Sequence, residues 1–471
     1  MTDARQLWFN KVSQVGSLDS FTLSQVPGNR MSIKSDLDAF GMAQVLVILK
    51  PNLESAAGLA VGSPSLEQYF SASEDSRDGA LAAMAATGAG VRRGVRRQAA
   101  TAHQDKMTVY PNLGIALGNV NANGLAGLKA HSRVDQVLST PEFSLIRPVA
   151  QAESTALATG PTWGIKKLNV PKLWAAGIDG KGVIVGHLDT GIDGKHPALK
   201  TAIHAFAEFD LQGTQIPNAV PRDSGEHGTH TAGTIAGRPV SAGQFGVAPG
   251  CKLASALVIE GGNIIKRILG GMDWIVGQKA KILSMSLGLR GFSPEFLPLM
   301  QILRNRGVLP VIAVGNEGPG SSRSPGNYPI CLSVGAADRT DRVADFSSSQ
   351  RFNRPNDPLV PDIVAPGVSV FSALPGKRFG EMDGSSMATP HIAGLAALLW
   401  HAKPDATVDQ IEAAIYGSCT RPATMPLSRA NRGLPDAVKA LKALTGTSLG
   451  AVTKAASPAK KKARPKAKSK A

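Results

Sequence analysis

Two histidines three residues apart are the first candidates for chemistry in this sequence. His227 and His230 lie in the stretch EHGTHTAG, at a spacing that places both on one face of a helix. Such a pair can supply metal ligands or a catalytic base. A tetrahedral zinc site needs further ligands, and its common helical signature sets two histidines four apart with a glutamate between them. The pair alone therefore leaves the metal, catalytic and purely structural interpretations open.

Three other polar residues stand at the ends of apolar stretches. Asp189 ends KGVIVGHLD, Asn316 follows GVLPVIAVG, and Ser386 precedes MATPHIAGLAALLW. A carboxylate can orient a histidine and stabilise its cation. A serine at a helix N-terminus lies beside backbone N–H groups that suit a developing oxyanion, and an asparagine amide can add a second donor. The D-T-G tripeptide that begins at Asp189 also occurs in aspartic proteases, but those are β folds that need a second such motif.

The elements that must position these residues read as a parallel sheet. KGVIVGHLD, CKLASALVI, AKILSMSLG and GVLPVIAVGN are apolar on both faces, as strands covered by helices must be. Helical stretches such as IIKRILGGMDWIVGQ separate them. In such sheets the chemistry lies beyond the carboxyl ends of the strands. We therefore predict an α/β catalytic region over residues 163–444.

The residues before this region predict a second, smaller unit. MAQVLVILK and MTVYPNLGIALGNV read as strands, NGLAGLKAHSRVDQVLS as a helix and EFSLIRPV as a last strand. An Ala/Gly/Arg-rich insert with Arg92, Arg93, Arg96 and Arg97 lies between the first two strands and is expected to be exposed. The predicted order is an N-terminal extension (1–40), a small α+β domain (41–149) and a linker (150–162).

The positive charge of the chain is concentrated at its C-terminus. The net charge is +16, and residues 445–471 carry eight lysines and arginines and no acid after residue 453, so the rest of the chain is left with +8. A segment this polar cannot pack and is expected to be a disordered tail. It either solubilises the protein or makes weak, salt-dependent contacts with a polyanion such as nucleic acid or an anionic membrane.

Neither the cysteines nor the N-terminus predicts secretion. Cys251, Cys331 and Cys419 form no CxxC pair and cannot build a disulfide framework. The first twenty residues lack the apolar core of a secretory signal, and no apolar run approaches the roughly eighteen residues of a membrane span. We expect a cytoplasmic protein.

Five motifs in chain order closely resemble the subtilisin-like serine proteases, the subtilase family. They are D-T-G-I-D, H-G-T-H-T-A-G, S-M-S-L-G, A-V-G-N-E-G and G-S-S-M-A-T-P-H-I-A-G, and the resemblance covers about residues 163–444. It implies a three-layer parallel-sheet sandwich and a serine endopeptidase. The residues that match the family's machinery are Asp189, His227 and Ser386 as catalytic triad and Asn316 as oxyanion donor. His230 is then structural, and no zinc site is expected.

The resemblance also implies a substrate path, a prosegment and a cofactor requirement. An extended substrate is expected between Ser286-Leu287-Gly288 and Gly261-Gly262. The α+β domain resembles the family's prosegment, an intramolecular chaperone and inhibitor, although an unrelated interaction domain has the same pattern. GRPVSAGQFGVAPG has no acidic residue where many members bind calcium, so calcium has no clear site and no cofactor or metal is expected to be required. The alternative function is a catalytically silent protease scaffold that binds a polyanion through the tail.

Two residues lead to a prediction about specificity and processing. Matching SPGNYP to the family places Arg323 near the base of the pocket for the residue before the scissile bond, with Glu317 at its rim; an arginine turned to solvent is the alternative. An inward guanidinium would favour an acidic substrate side chain. Glu153, in AQAESTAL, is the only acidic residue between Phe143 and Ile178. The prediction is self-cleavage after Glu153.

Overall fold

The computed structural model describes residues 32–50, 64–71, 106–154, 160–241, 243–259 and 261–449. The predicted extension before residue 32, the Arg-rich insert, part of the predicted linker and the Lys-rich tail beyond residue 449 lie outside these ranges. Within them, no helix has both the length and the apolar character that a bilayer crossing requires.

The N-terminal unit is an antiparallel sheet with helices, and it ends in two short strands that belong to other sheets. Its helices are α1 (Ile33–Phe40), α2 (Pro64–Glu67) and α3 (Ala122–Ala130). Its strands are β1 (Ala43–Leu49), β2 (Met107–Tyr110), β3 (Ile115–Val120), β4 (Val134–Ser139), β5 (Ser144–Leu145) and β6 (Ala150–Glu153). The first four form one sheet in the order β2-β3-β1-β4.

Two predicted elements of this unit are wrong in detail. MTVYPNLGIALGNV is a hairpin of β2 and β3 rather than one strand, because the chain turns at Gly114, whose φ is +70°. NGLAGLKAHSRVDQVLS is helical only in its first half, and its second half is strand β4, which pairs with β1. Pairing with β1 outweighs the weak local preference of Val134–Ser139.

The C-terminal region alternates strands and helices, as predicted. Its strands are β7 (Ile184–Asp189), β8 (Ile203–Glu208), β9 (Lys252–Leu257), β10 (Ile282–Met285), β11 (Leu287–Arg290), β12 (Leu309–Ala313), β13 (Arg323–Ser324), β14 (Leu332–Ala337), β15 (Gln350–Arg351), β16 (Leu359–Val360), β17 (Ile363–Pro366), β18 (Val370–Leu374) and β19 (Arg378–Asp383). Its helices are α4 (Trp163–Lys167), α5 (Val170–Ala175), α6 (His227–Ala236), α7 (Ile264–Gly277), α8 (Leu297–Asn305), α9 (Ser385–Ala402), α10 (Val408–Ser418), α11 (Leu427–Ala430) and α12 (Ala437–Thr445).

Seven of these strands form a parallel sheet, which confirms the predicted α/β fold. Their order is β17-β14-β12-β10-β7-β9-β8, and every adjacent pair is parallel. The two faces of the sheet pack against different cores: Val185 joins the core that contains α9, and Leu188 joins the core that contains α7 and α8. Helices therefore cover both faces, and the carboxyl ends of the strands remain at one edge.

The N-terminal sheet lies on the face covered by α7 and α8. Along β1, Leu46 and Ile48 belong to the same core as Leu269 of α7, whereas Val45 and Val47 belong to the unit's own core. Successive side chains of a strand point to opposite faces, so both faces of β1 are buried. Asp273 of α7 fixes the contact, because its carboxylate accepts from Leu113 N (3.0 Å) and from Asn112 Nδ2 (3.1 Å).

Candidate active site

Asp189 and His227 meet at the carboxyl edge of the parallel sheet. Asp189 ends β7 and His227 begins α6, and both side chains are buried. Asp189 Oδ1 lies 2.7 Å from His227 Nδ1 and accepts from Thr190 N at 2.7 Å. Burial opposes ionisation of Asp189, but the imidazoles of His227 and His187 and the Thr190 N–H lower its pKa overall. An ionised Asp189 keeps the proton on Nδ1 of His227 and leaves Nε2 with a lone pair.

Ser386 stands at the start of the longest helix of the sheet region. It is the second residue of α9, which follows β19 and packs beneath the sheet, and its side chain is fully buried. Its Oγ donates to the carbonyl oxygen of Ile146 at 2.7 Å rather than to His227. Among the described residues, Nε2 of His227 has no hydrogen-bond partner. The serine therefore faces a peptide carbonyl from a position where helix N–H groups favour negative charge.

Asn316 lies in the loop after β12, close to the beginning of α9. Its Oδ1 accepts from Ser385 N (2.9 Å) and Ser385 Oγ (2.8 Å), so the orientation of the amide is fixed. Its Nδ2 donates to Arg147 O at 3.0 Å. The amide thus points its N–H group at a peptide carbonyl beside the one that Ser386 contacts.

The residues that fill this site come from the N-terminal unit itself. Residues 144–149, named here the crossing segment, run past Ser386 in extended form. Ser144 and Leu145 pair antiparallel with Gly288 and Leu287, and Ile146 N donates to Ser286 O at 3.0 Å. EFSLIRPV is therefore strand-like in part, as predicted, but its partner is β11 of the catalytic region.

One wall of the predicted substrate path is in contact with this segment and the other is not. Ser286, Leu287 and Gly288 all bond to the crossing segment or pair with it. Gly261 and Gly262 make no backbone hydrogen bond to it within the described ranges. Gly262 instead packs against Leu211, and Asn263 N donates to Leu211 O at 2.6 Å.

Arg323 points inward, but its charge already has a partner. The side chain is 7% exposed and donates from Nε to Glu317 Oε1 at 2.8 Å and from Nη1 to Ser144 Oγ at 2.9 Å. Although burial opposes ionisation of Glu317, the Arg323 guanidinium holds its pKa below the usual range. The alternative of a solvent-facing arginine is therefore wrong. The carboxylate that pairs with Arg323 comes from this chain, so a substrate acid is not needed.

The structure does not bring Glu153 to Ser386. Glu153 lies seven residues beyond Ile146, at the end of β6, where it pairs with Gly380 of β19. Its carboxylate contacts the Arg378 guanidinium, which also contacts Glu226. Ser386 therefore contacts the carbonyl of Ile146 and not that of Glu153.

The imidazole ring of His230 contacts a backbone carbonyl oxygen. Its Nε2 lies 2.9 Å from Val370 O, and burial lowers its pKa to about 3, so the imidazole is neutral. Across the described residues, no group of three or more His, Cys, Asp and Glu side chains is arranged to bind a metal ion.

Two residues beside the site were missed from the sequence. His187 lies in β7, two positions before Asp189, and Thr231 lies in α6, four positions after His227. The signal was available, because residues two apart on a strand and four apart on a helix share a face. His187 stands within an apolar strand and Thr231 within a run of small residues, and neither pattern by itself indicates a polar role.

Comparison with known proteins gives one family match and a set of related proteases. A family profile described as the subtilase family matches residues 180–439. Bacillopeptidase F of Bacillus subtilis (strain 168) is 31% identical over 69% of this chain and 26% of the relative. The major intracellular serine protease of the same strain is 37% identical over 50% of this chain and 74% of the relative. M-protease of Shouchella clausii (strain KSM-K16) is 36% identical over 61% of this chain and 71% of the relative.

Proposed function

The chain belongs to the subtilase family of serine proteases, and we propose that it is an endopeptidase whose catalytic triad is Asp189, His227 and Ser386. The observation that carries the proposal is the 2.7 Å contact between Asp189 Oδ1 and His227 Nδ1 at the edge where Ser386 meets a peptide carbonyl. Asn316, held by Ser385, is proposed as the oxyanion donor. No triad or oxyanion group is lost, so nothing favours a silent scaffold.

In the proposed reaction, His227 Nε2 takes the proton of Ser386 as Oγ attacks the substrate carbonyl carbon. Asp189 keeps the imidazole in the required tautomer and stabilises the imidazolium. The imidazolium then gives its proton to the leaving amine, which releases the C-terminal product. Water, deprotonated by the same nitrogen, hydrolyses the acyl-enzyme and restores Ser386. Stabilisation of the oxyanion by Asn316 contributes on the order of 10²–10³ in turnover, as for this donor in subtilisin.

The N-terminal unit is proposed to be an intramolecular inhibitor. Its crossing segment fills the site as a substrate would, with Leu145 opposite Leu287. However, Ser386 Oγ contacts Ile146 O while Asn316 Nδ2 contacts Arg147 O. Attack needs both groups at the same carbonyl, so the contacts describe an occupied but unproductive site. This mismatch supports an inhibited precursor.

We propose that processing occurs at the Ile146–Arg147 bond. Ile146 carries the carbonyl that Ser386 already contacts, and the Ile146 N–H is held by Ser286. A small shift that brings the Asn316 amide onto Ile146 O would make the site productive. The carbonyl of the neighbouring Arg147–Pro148 bond accepts from Asn316 Nδ2, and cleavage of that bond would release a proline nitrogen. The Ile146 side chain, 1% exposed, further supports an apolar preference before the scissile bond.

Labelling with a fluorophosphonate probe tests the proposed function directly. The mature wild-type protein is expected to react once, at Ser386, and Ser386→Ala is expected not to react. Ser428→Ala is the control, because this serine is exposed on α11, outside the proposed site. Equal labelling of the wild type and Ser386→Ala would refute the assignment of the nucleophile.

A further inference from the structure

A second buried histidine lies behind the catalytic carboxylate. His187 is 1% exposed in β7, two residues before Asp189. Its Nδ1 lies 2.9 Å from Ser255 Oγ, on the adjacent strand β9. Its Nε2 lies 2.9 Å from Thr231 Oγ1, on α6. Both ring nitrogens are thus paired with hydroxyl groups, and neither takes part in the proposed reaction.

The Thr231 hydroxyl links this histidine to the triad. Thr231 Oγ1 lies 3.1 Å from Asp189 Oδ2 and equally far from the carbonyl oxygens of His227 and Gly228. A hydroxyl has one proton, so it can donate fully to only one of these acceptors. Oδ1 of Asp189 already accepts from Thr190 N and His227 Nδ1. Among the described residues, Thr231 is the one hydrogen-bond donor to Oδ2.

The tautomer of His187 decides where the Thr231 proton goes. If Nε2 carries the imidazole proton, it donates to Thr231 Oγ1, and the hydroxyl proton is free for Asp189 Oδ2. Ser255 Oγ then donates to Nδ1. In the other tautomer, Nε2 is an acceptor that competes with Asp189 for the same proton. Since Asp189 is buried and an ionised carboxylate only accepts, the first arrangement satisfies every group and the second leaves Oδ2 without a donor.

We propose that His187 is a positioning residue for Asp189, whose Nε2–H group fixes the Thr231 hydroxyl as a donor to Oδ2. The directed chain runs from Ser255 through His187 and Thr231 to Asp189 and ends at His227. It holds the carboxylate in the rotamer that faces His227 Nδ1. This proposal deepens the proposed function and rests on the triad assigned there.

The charged groups around His187 are consistent with a neutral ring. Burial lowers its pKa; the carboxylates of Asp189 on β7 and Asp223 in the loop before α6 act in the opposite direction, and His227 on α6 adds to the lowering. His230 of α6 also faces His227 and is neutral. A neutral His187 has one N–H group, as the directed chain requires.

Removing the chain should move the acid limb of kcat/KM in a definite direction. Donation from Thr231 withdraws negative charge from Asp189, which lowers the stabilisation that the carboxylate gives to the His227 imidazolium. Loss of that donor should therefore move the acid limb to higher pH. A purely structural disturbance would let Asp189 drift from His227 and move the limb to lower pH.

The test compares His187→Leu with His187→Gln, alone and combined with Thr231→Val. Leucine removes both hydrogen bonds, whereas the glutamine amide can reach Thr231 Oγ1 and retain the donor. We expect Thr231→Val to lower kcat/KM about tenfold, the cost of one hydrogen bond to a charged group, with most of the loss in kcat. His187→Leu should lower it by less, because the Thr231 hydroxyl is then free to turn from Asp189 Oδ2 to the carbonyl oxygens of His227 and Gly228. His187→Gln should recover most of the rate and the wild-type acid limb. In Thr231→Val, the further change His187→Leu should have little additional effect.

Equal losses from His187→Leu in the presence and absence of the Thr231 hydroxyl, or an acid limb that stays in place or moves to lower pH, would overturn the proposal. The chemical shift of the His227 Nδ1–H proton in full-length Ser386→Ala chains reports the contact with Asp189 without turnover. We expect it to change in His187→Leu and to be restored in His187→Gln, even if a variant is not processed, and an unchanged shift would overturn the proposal. A wild type without Ser386-dependent turnover would instead refute the proposed function, while the chemical shift still tests His187.

Discussion

The catalytic edge and the crossing segment that covers it are held by different kinds of contact. Asp189 is buried at the end of a parallel strand, and His227 and Ser386 are buried at the beginnings of two helices. Hydrogen bonds of 2.7 Å fix Asp189 and His227. The segment instead begins with a short edge strand, β5, which has two residues. In the strand that follows the segment, β6, every residue is exposed, and Glu153 forms a surface ion pair with Arg378, a kind of contact that contributes little free energy.

This difference separates the proposed catalytic groups from the crossing segment, which we propose is a removable cover of the site. The proposed catalytic groups lie on elements packed into the core of the sheet, so they cannot move without loss of packing. The segment depends on strand pairing and on the burial of Leu145 and Ile146, contacts that a substrate chain can replace.

The largest loss of activity is expected for a change at the proposed nucleophile, Ser386. Ser386→Ala removes the attacking oxygen and leaves the helix and the sheet intact. We expect kcat on a peptide substrate to fall by about 10⁶-fold, as for the corresponding group in subtilisin, with little change in the melting temperature. Steady-state kinetics on the variant processed in trans measure it. A loss below about a hundredfold would mean that another group is the nucleophile.

A smaller effect is expected for the oxyanion donor. Asn316→Ala should lower kcat by about 10²–10³ with KM nearly unchanged, because the amide acts on charge that develops only in the transition state. Its Oδ1 also accepts from Ser385, so the melting temperature must be measured beside the kinetics. An increase in KM at constant kcat would assign Asn316 to substrate binding instead.

The cover can be loosened without touching the catalytic groups. Asp273→Ala removes the acceptor of the Leu113 N–H and Asn112 amide bonds that dock the N-terminal sheet on α7. In a full-length Ser386→Ala background, we expect the amide of Ile146 to exchange hydrogen about tenfold faster, the value of a hydrogen bond to a charged group. Asp405→Ala, an exposed residue of the same charge, is the control. Unchanged exchange would show that the crossing segment is held independently of the N-terminal sheet.

The smallest effect is expected at the C-terminus. Deletion of residues 454–471 should leave turnover of a small peptide unchanged, because the proposed catalytic residues all lie between residues 189 and 386. Any affinity for DNA or anionic vesicles should fall, and before deletion it should weaken with added salt. Reduced peptide turnover in the shortened chain would contradict this assignment.

The two regions were also unequally predictable from sequence. Asp189, Asn316 and Ser386 follow or begin apolar stretches, and the rule that chemistry gathers at the carboxyl edge of a parallel sheet was enough to group them. The crossing segment could not be placed, because Leu145 pairs with Leu287, and local pattern carries no information about so distant a partner. The inward orientation of Arg323 was predicted, but its pairing with Glu317 was not, because the two side chains meet only after the loop has folded. His187 was hidden within an apolar strand.

The most direct test of the account is the N-terminus of the mature protein. Wild-type and Ser386→Ala chains are expressed in parallel, and each product is identified by intact mass and N-terminal sequencing. We predict that the wild type is cut after Ile146, so that Arg147 becomes the first residue, and that Ser386→Ala stays whole. A mature chain that begins at Ser154, or processing that proceeds equally in Ser386→Ala, would contradict it.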